Sequence, residues 1–313
     1  MLQVGLFKGK LGFILASVLL ILYSMATPGS LAETAAVFEI GPANAVFPRE
    51  YGDIIYRINE ESPNQLYIIG MSHRDTLTRE NGKATVRTQA ELYKIGEWLV
   101  REEEVRLILP EGFFKSSGPA LTNQLEKPRI IKTAMNTPSL GLKDIEDLLL
   151  SGGHFNAETL LREHYPVFFE QVEDRDIYNA VNEGIYRLVG CESNPVLYAF
   201  SKAELDYLQE KRTAAMLQRI PQAVGSFYEA GGIRAKRAIL TIGLAHINGI
   251  LRYLGENRIS IDAPVFAPEA FSDISDELLL AKENYGVTVI IPRSLMEDRD
   301  ALVLTGLSGI SAR

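Results

Sequence analysis

The chain has 313 residues, 46% of them hydrophobic, with 32 Lys and Arg against 40 Asp and Glu. A net charge of −8 excludes the basic footprint of a nucleic-acid binder. The single cysteine, Cys191, excludes an intrachain disulfide and a Cys-rich structural zinc site.

The first 32 residues read as a secretory signal peptide. Lys8 and Lys10 form a basic start, Leu11 to Ala26 is almost unbroken apolar chain, and Pro28-Gly29 precedes the small residues Ser30-Leu31-Ala32. The competing reading is an uncleaved anchor, but this run falls short of the roughly 20 residues that a spanning helix needs. Cleavage would place the protein in the periplasm or outside the cell, with no later membrane span. It would leave 30 Lys and Arg against 40 Asp and Glu, a net −10.

Residues 33–50, rich in Ala, Pro and Gly, form a flexible lead-in. The main domain is expected over 51–296, with a tail at 297–313. Ile54 to Ile58 and Gln65 to Ile69 read as two strands of a hairpin around the polar turn Asn59 to Asn64. After a charged loop, Ala84 to Arg101 carries apolar residues at helical spacing. Val105 to Leu109 is a third strand, stopped by Pro110-Glu111-Gly112 and parallel to the second through a crossover.

Residues 115–165 read as an inserted helical cap, with helices around Leu140 to Leu150 and Ala157 to Arg162. Val167-Phe168-Phe169 is a short strand, and Ile177 to Leu188 a helix. Ala203 to Gln218 and Pro221 to Glu229 form long amphipathic helices. A strand at Ala238 to Ile242, a helix from Asn248 to Leu254 and a last strand at Val287 to Ile291 complete the chain. The alternation predicts an α/β fold: a single mixed, largely parallel sheet flanked by helices, with the inserted helical cap.

One tetrapeptide form occurs twice. Gly70-Met71-Ser72-His73 follows the strand ending at Ile69, and Gly243-Leu244-Ala245-His246 follows the strand ending at Ile242. A histidine placed so leaves the strand above the sheet edge, where open α/β sheets bind ligands. Glu111 ends a third strand in the same way. Two imidazoles and a carboxylate suit a divalent transition metal with open positions. The same three side chains also suit metal-free work, with one histidine as general base and Glu111 orienting it. Each is equally able simply to fill a turn.

Asp75 stands ready as an acceptor for the His73 ring. His154 and His164 fall in the cap and read as bystanders, as does Cys191, expected to be buried. No Gly-x-Ser-x-Gly elbow, phosphate-binding glycine loop or His-Glu-x-x-His helix is present.

Three blocks resemble the TraB/GumN/Tiki superfamily, which also takes in erythromycin esterases and ChaN-like haem-binding lipoproteins. Gly52 to His73 resembles its opening hairpin and first Gly-x-x-His. Leu107 to Gly112 resembles its strand-end glutamate. Arg212 to Gly249 resembles its arginine, the methionine four residues on (Met216) and the second Gly-x-x-His. Lys211 and Thr213 depart from the family's Glu before the arginine and Asn or Asp after it.

The resemblance implies a metal-dependent, peptidase-like hydrolase acting on a peptide or small molecule. It implies that His73, Glu111 and His246 hold a divalent metal ion and that Glu111 and Arg212 are catalytic. Arg212 would offer its planar fork to a substrate carboxylate or oxyanion. The alternatives it leaves open are a metal-free esterase and a non-catalytic protein that binds haem or a peptide.

Overall fold

A computed structural model describes residues 46–72, 82–115, 138–151, 156–191, 193–232, 234–261 and 274–308. The leader segment, most of the lead-in, His73, Asp75 and His154 lie outside the described residues. Six strands make one sheet: β1 (Gly52–Ile58), β2 (Gln65–Met71), β3 (Leu107–Pro110), β4 (Phe168–Phe169), β5 (Arg237–Gly243) and β6 (Gly286–Pro292). Their order across the sheet is β1-β6-β2-β5-β3-β4. All are parallel except β1, which runs antiparallel to β6. This is the α/β architecture with a mixed, mostly parallel sheet.

Burial explains the order. Every residue of β2 and β6 is buried, as is all of β5 beyond Arg237, so these strands take the centre with helices on both faces. β1 is half-exposed towards its end and takes an edge.

The expected β1–β2 hairpin therefore does not form, because β6 lies between the two strands and pairs with both. The turn at 59–64 instead steps across the start of β6. Gln65 Nε2 donates to the carbonyls of Asn59, Glu60 and Ser62, while Ser62 Oγ donates to Asn284 O. Gly286 makes room for this step, since a Cβ there would lie 2.3 Å from Gln65 Nε2 and 2.5 Å from Asn59 O. β2 and β3 are parallel as expected, but β5 separates them.

Helices α1 (Lys83–Glu102), α2 (Leu142–Leu150) and α3 (Ala157–His164) cover one face of the sheet. They bury Leu92, Ile95, Ile145, Leu149, Leu160 and Leu161 with the strand residues Ile69, Ile108 and Ile239. The described helices of the 115–165 segment thus belong to the layer built on α1, and residues 116–137 and 152–155 lie outside the described set. A buried polar network ties that layer together. Glu97 accepts from Lys94, from Tyr165 and, at 2.6 Å, from Ser139 Oγ.

The remaining helices are α4 (Arg175–Gly190), α5 (Pro195–Ala230), α6 (Leu244–Glu256), α7 (Leu279–Lys282), α8 (Arg293–Glu297) and α9 (Arg299–Leu304). Met216, Ile220 and Val224 of α5 and Ile247 and Ile250 of α6 pack on the second face, against Leu66, Ile68, Leu109 and Leu240. Alternate residues of each strand thus serve opposite cores. The two helices expected over 203–229 are one 36-residue helix with Pro221 inside it. The helix continues through Pro221 despite the missing N–H, with Leu217, Ile220, Pro221 and Val224 all buried.

Candidate functional site

Glu111 and His246 meet at the carboxyl edge of the sheet, above the neighbouring strands β3 and β5. The ladder runs one step past β3, with Glu111 N donating to Thr241 O at 3.0 Å. That sets the Glu111 side chain beside the end of β5. Gly243 is at once the last residue of β5 and the N-cap of α6, so strand passes into helix with no loop. His246, expected in a turn, consequently lies in the first turn of α6. The Glu111 carboxylate sits at the start of this helix, where free N–H groups favour a negative charge. Its Oε2 accepts from Gly243 N at 2.5 Å.

The other carboxylate oxygen, Oε1, lies 2.9 Å from an Arg212 terminal nitrogen and 3.4 Å from His246 Nε2. All three side chains are at least nine-tenths buried. Thr213, next to Arg212 on α5, places its Oγ1 2.6 Å from His246 Nδ1 and 2.9 Å from Gln209 O. A hydroxyl has one proton to give. This hydroxyl has two acceptors within reach: given to Gln209, its proton leaves Nδ1–H as the donor to Thr213 and a neutral ring's lone pair on Nε2; given to Nδ1, it leaves the ring proton on Nε2, towards Glu111.

The family resemblance implies a ligand-facing fork for Arg212; in the structure its guanidinium is engaged by Glu173 and Glu111. Its Nε lies 3.1 Å from Glu173 Oε2, a terminal nitrogen contacts Glu173 Oε1, and the other terminal nitrogen reaches Glu111. The guanidinium also stacks over the Tyr178 ring at 5.0 Å. Burial alone would pull the Arg212 pKa down, but Glu111 and Glu173 more than reverse this and raise it above its ordinary value. Glu173 is itself fully buried and accepts from Gly112 N at 2.9 Å. Arg212 therefore joins the segments after β3 and β4 to α5.

Sequence reasoning missed Glu173 and Thr213. The available signals were a carboxylate soon after the β4 strand and a hydroxyl next to the arginine. Among the other candidates, His164 Nδ1 lies 2.7 Å from Tyr93 OH, on the α1 face. Cys191 is partly exposed at the α4–α5 turn rather than buried. His73 lies outside the described residues. The described part of its motif ends β2 in register with β5, Met71 opposite Gly243.

Glu111 and Glu173 against Arg212 leave one formal negative charge among these side chains, with Nε2 facing a carboxylate oxygen. A cation satisfies both acceptors, as a proton on Nε2 or as a metal ion. Two ligands at about 2.1 Å in tetrahedral geometry stand about 3.4 Å apart, so the Nε2–Oε1 spacing and donor types fit a divalent ion. Among the described residues no group of three or more His, Cys, Asp or Glu is placed to hold a metal. Ser72 Oγ, just past β2, and Gln209 Oε1, one turn before Thr213, are buried without a hydrogen-bond partner. Among the described residues, no helix is long and apolar enough to cross a membrane. Compared with protein-family models, curated proteins and solved structures, the chain matches none.

Proposed function

We propose that the protein is an exported hydrolase of the TraB/GumN/Tiki type that cleaves a peptide or small acyl substrate at the carboxyl edge of the sheet. The observation that carries this reading is the 3.4 Å approach of His246 Nε2 to Glu111 Oε1, with both groups buried and anchored from behind. His246, Glu111 and His73 are the residues that would hold a divalent ion. When bound, such an ion polarises a carbonyl and lowers the pKa of water towards neutrality.

The chain's own groups have separate tasks. Thr213 holds the imidazole in the tautomer that leaves Nε2 free. Gly243 N and Arg212 hold the Glu111 carboxylate, turning Oε1 towards Nε2. Glu173 holds Arg212, which makes Arg212 a positioning residue. The position after the arginine, Asn or Asp in the family, is here a threonine whose oxygen lies 2.6 Å from His246 Nδ1.

One observation favours a metal-free variant of the same chemistry. Arg212 already lies 2.9 Å from Oε1, a positive charge that weakens the pull on a second cation. In that variant His246 Nε2 takes the proton from water as general base.

Elemental analysis of the purified full-length chain, with hydrolysis of a peptide and ester panel, tests the proposal. The expected result is about one divalent ion per chain, lost in His246→Ala together with activity. Activity that persists in strong chelator while His246→Ala is inactive selects the metal-free variant. Hydrolysis undiminished in His246→Ala overturns both.

A further inference from the structure

The turn after β3 is pinned from both sides. Phe113 N donates to Pro110 O at 3.2 Å, and Gly112, at φ +73°, fills the position of that turn where a Cβ would be strained. Gly112 N donates to Glu173 and Lys115 N to Gln171 Oε1, each at 2.9 Å. Glu111 is thus turned inward to Arg212 and His246, while Phe113 and Phe114, two and three residues on, form a partly exposed ledge of rings. Phe113 packs edge-on against Phe169 with centroids 5.7 Å apart, and Phe114 against Tyr178 at 5.0 Å.

The ledge joins the buried site to a second arginine. The Arg212 guanidinium lies over the Tyr178 ring at 5.0 Å, and that of Arg175, the first residue of α4, lies over the Phe114 ring at 4.7 Å. Through three steps of 5.0, 5.0 and 4.7 Å, Arg175 lies no more than about 15 Å from Arg212, a span of about four extended residues.

Unlike Arg212, Arg175 is exposed, and among the described residues no carboxylate makes an ion pair with it, the exposed Asp176 included. The other acids beside it are engaged elsewhere. Glu173 holds Arg212, while Asp174 caps α4 and pairs with Arg219. A cation in the first turn of a helix also gains nothing from the helix dipole. Held over a ring, the guanidinium keeps its N–H groups for a carboxylate, which it can bind through two parallel hydrogen bonds.

We propose that Arg175 and Phe114 form a specificity-determining subsite that takes the C-terminal end of a peptide substrate. The free carboxylate lies on Arg175, and the side chain of an apolar last residue lies against Phe114. This rests on the reading of the carboxyl edge as a substrate site. Two observations select the occupant. The ring contacts run without a break from Arg212, which holds Glu111, to Arg175, so the subsite continues the proposed cleft. An unpaired cation beside an aromatic ring, in a chain of net charge −8, complements an anion that carries an apolar group.

Peptide binding to the full-length chain tests this apart from turnover. The probes are N-acetyl-Ala-Ala-Ala-Phe with a free carboxylate, the same peptide as its C-terminal amide, and N-acetyl-Ala-Ala-Ala-Ala with a free carboxylate. Each is titrated calorimetrically into His246→Ala, which is expected not to cleave them. The Phe carboxylate should bind about 10–100-fold more tightly than its amide. Arg175→Gln in the same background should bring that ratio to about one, with an unchanged melting temperature because the side chain is exposed. The peptide ending in Ala should bind about tenfold more weakly than the one ending in Phe.

No binding at about 1 mM overturns the inference. So does a carboxylate preference that is absent or that survives Arg175→Gln, or equal binding of the Phe and Ala peptides. Failure of the hydrolase reading looks different. Binding with the expected preference, but no cleavage by the wild type, removes the hydrolase and leaves the subsite. Cleavage that His246→Ala abolishes, with no carboxylate preference, removes the subsite alone.

Discussion

Thr213 Oγ1 lies 2.6 Å from His246 Nδ1 and 2.9 Å from the Gln209 carbonyl oxygen one turn earlier. In the proposed mechanism the hydroxyl gives its proton to Gln209 and holds the ring with its own proton on Nδ1. Replacing Thr213 with Val removes the acceptor while keeping the shape. We expect a fall in kcat of about 10–100-fold with KM little changed, and recovery in Thr213→Ser. Nitrogen chemical shifts of the His246 ring give a readout independent of turnover. Wild type and Thr213→Ser should show the proton on Nδ1, and Thr213→Val a mixture.

Arg212 holds two buried carboxylates, so its removal should cost stability more than any other change at the site. Arg212→Met leaves Glu111 and Glu173 facing each other without a cation, and about 3–5 kcal/mol of unfolding free energy should be lost. Arg212→Lys should recover little, since one ammonium cannot reproduce three directed N–H contacts. Adding Glu173→Gln to Arg212→Met should restore part of the loss. Urea denaturation of these proteins together with Glu173→Gln alone checks this, and additive effects would show that the pair is not coupled.

The network on α1 gives a dependence on acid. Burial by itself raises the Glu97 carboxyl, but hydrogen bonds from Lys94, Ser139 and Tyr165 outweigh it and hold the pKa below its ordinary value. A carboxyl lowered in the folded state contributes its full stability above the unfolded value, about 4.3, and loses it as pH falls through the lowered folded value. Wild type should therefore exceed Glu97→Gln by a constant margin from about pH 5 to 7. That margin should shrink steadily below about pH 4. Melting temperatures measured from pH 3 to 7 would show it, and parallel curves would remove Glu97 from the account.

The first Gly-x-x-His owes its glycine to packing. A Cβ on Gly70 would lie 2.7 Å from Ile291 Cδ1, 3.2 Å from Leu244 Cδ1 and 3.3 Å from Ile247 Cγ1. Leu244 and Ile247 belong to α6, which carries His246. Gly70→Ala should thus press the helix away from the strand. We expect a loss of about 1–2 kcal/mol in urea and a larger proportional loss of activity, as His246 shifts with its helix. A variant with full activity and reduced stability would show that the helix does not move.

Periodicity located the elements well where apolar runs were long, as in β2, β5, β6 and α1. It failed at Pro221, where a local helix-breaking rule met a buried stretch through which α5 continues. It also failed at the 59–64 turn, whose residues suit a hairpin but whose flanking strand is too deeply buried to lie next to an edge.

What the sequence determined by itself was local: strand and helix period, the glycines near the ends of β2 and β5, and the residue types His246, Glu111 and Arg212 at their positions along the chain. Only the tertiary structure decided which strands became neighbours, and so that β5 entered between β2 and β3 and set Glu111 beside Gly243 and His246. It alone turned Arg212 inward to Glu173 and gave His246 its partner in Thr213. The physical reason is range. A side chain's period along the chain follows from backbone geometry within a few residues, whereas contacts spanning 33, 39 and 132 positions are selected by the joint burial of surfaces that no local pattern encodes.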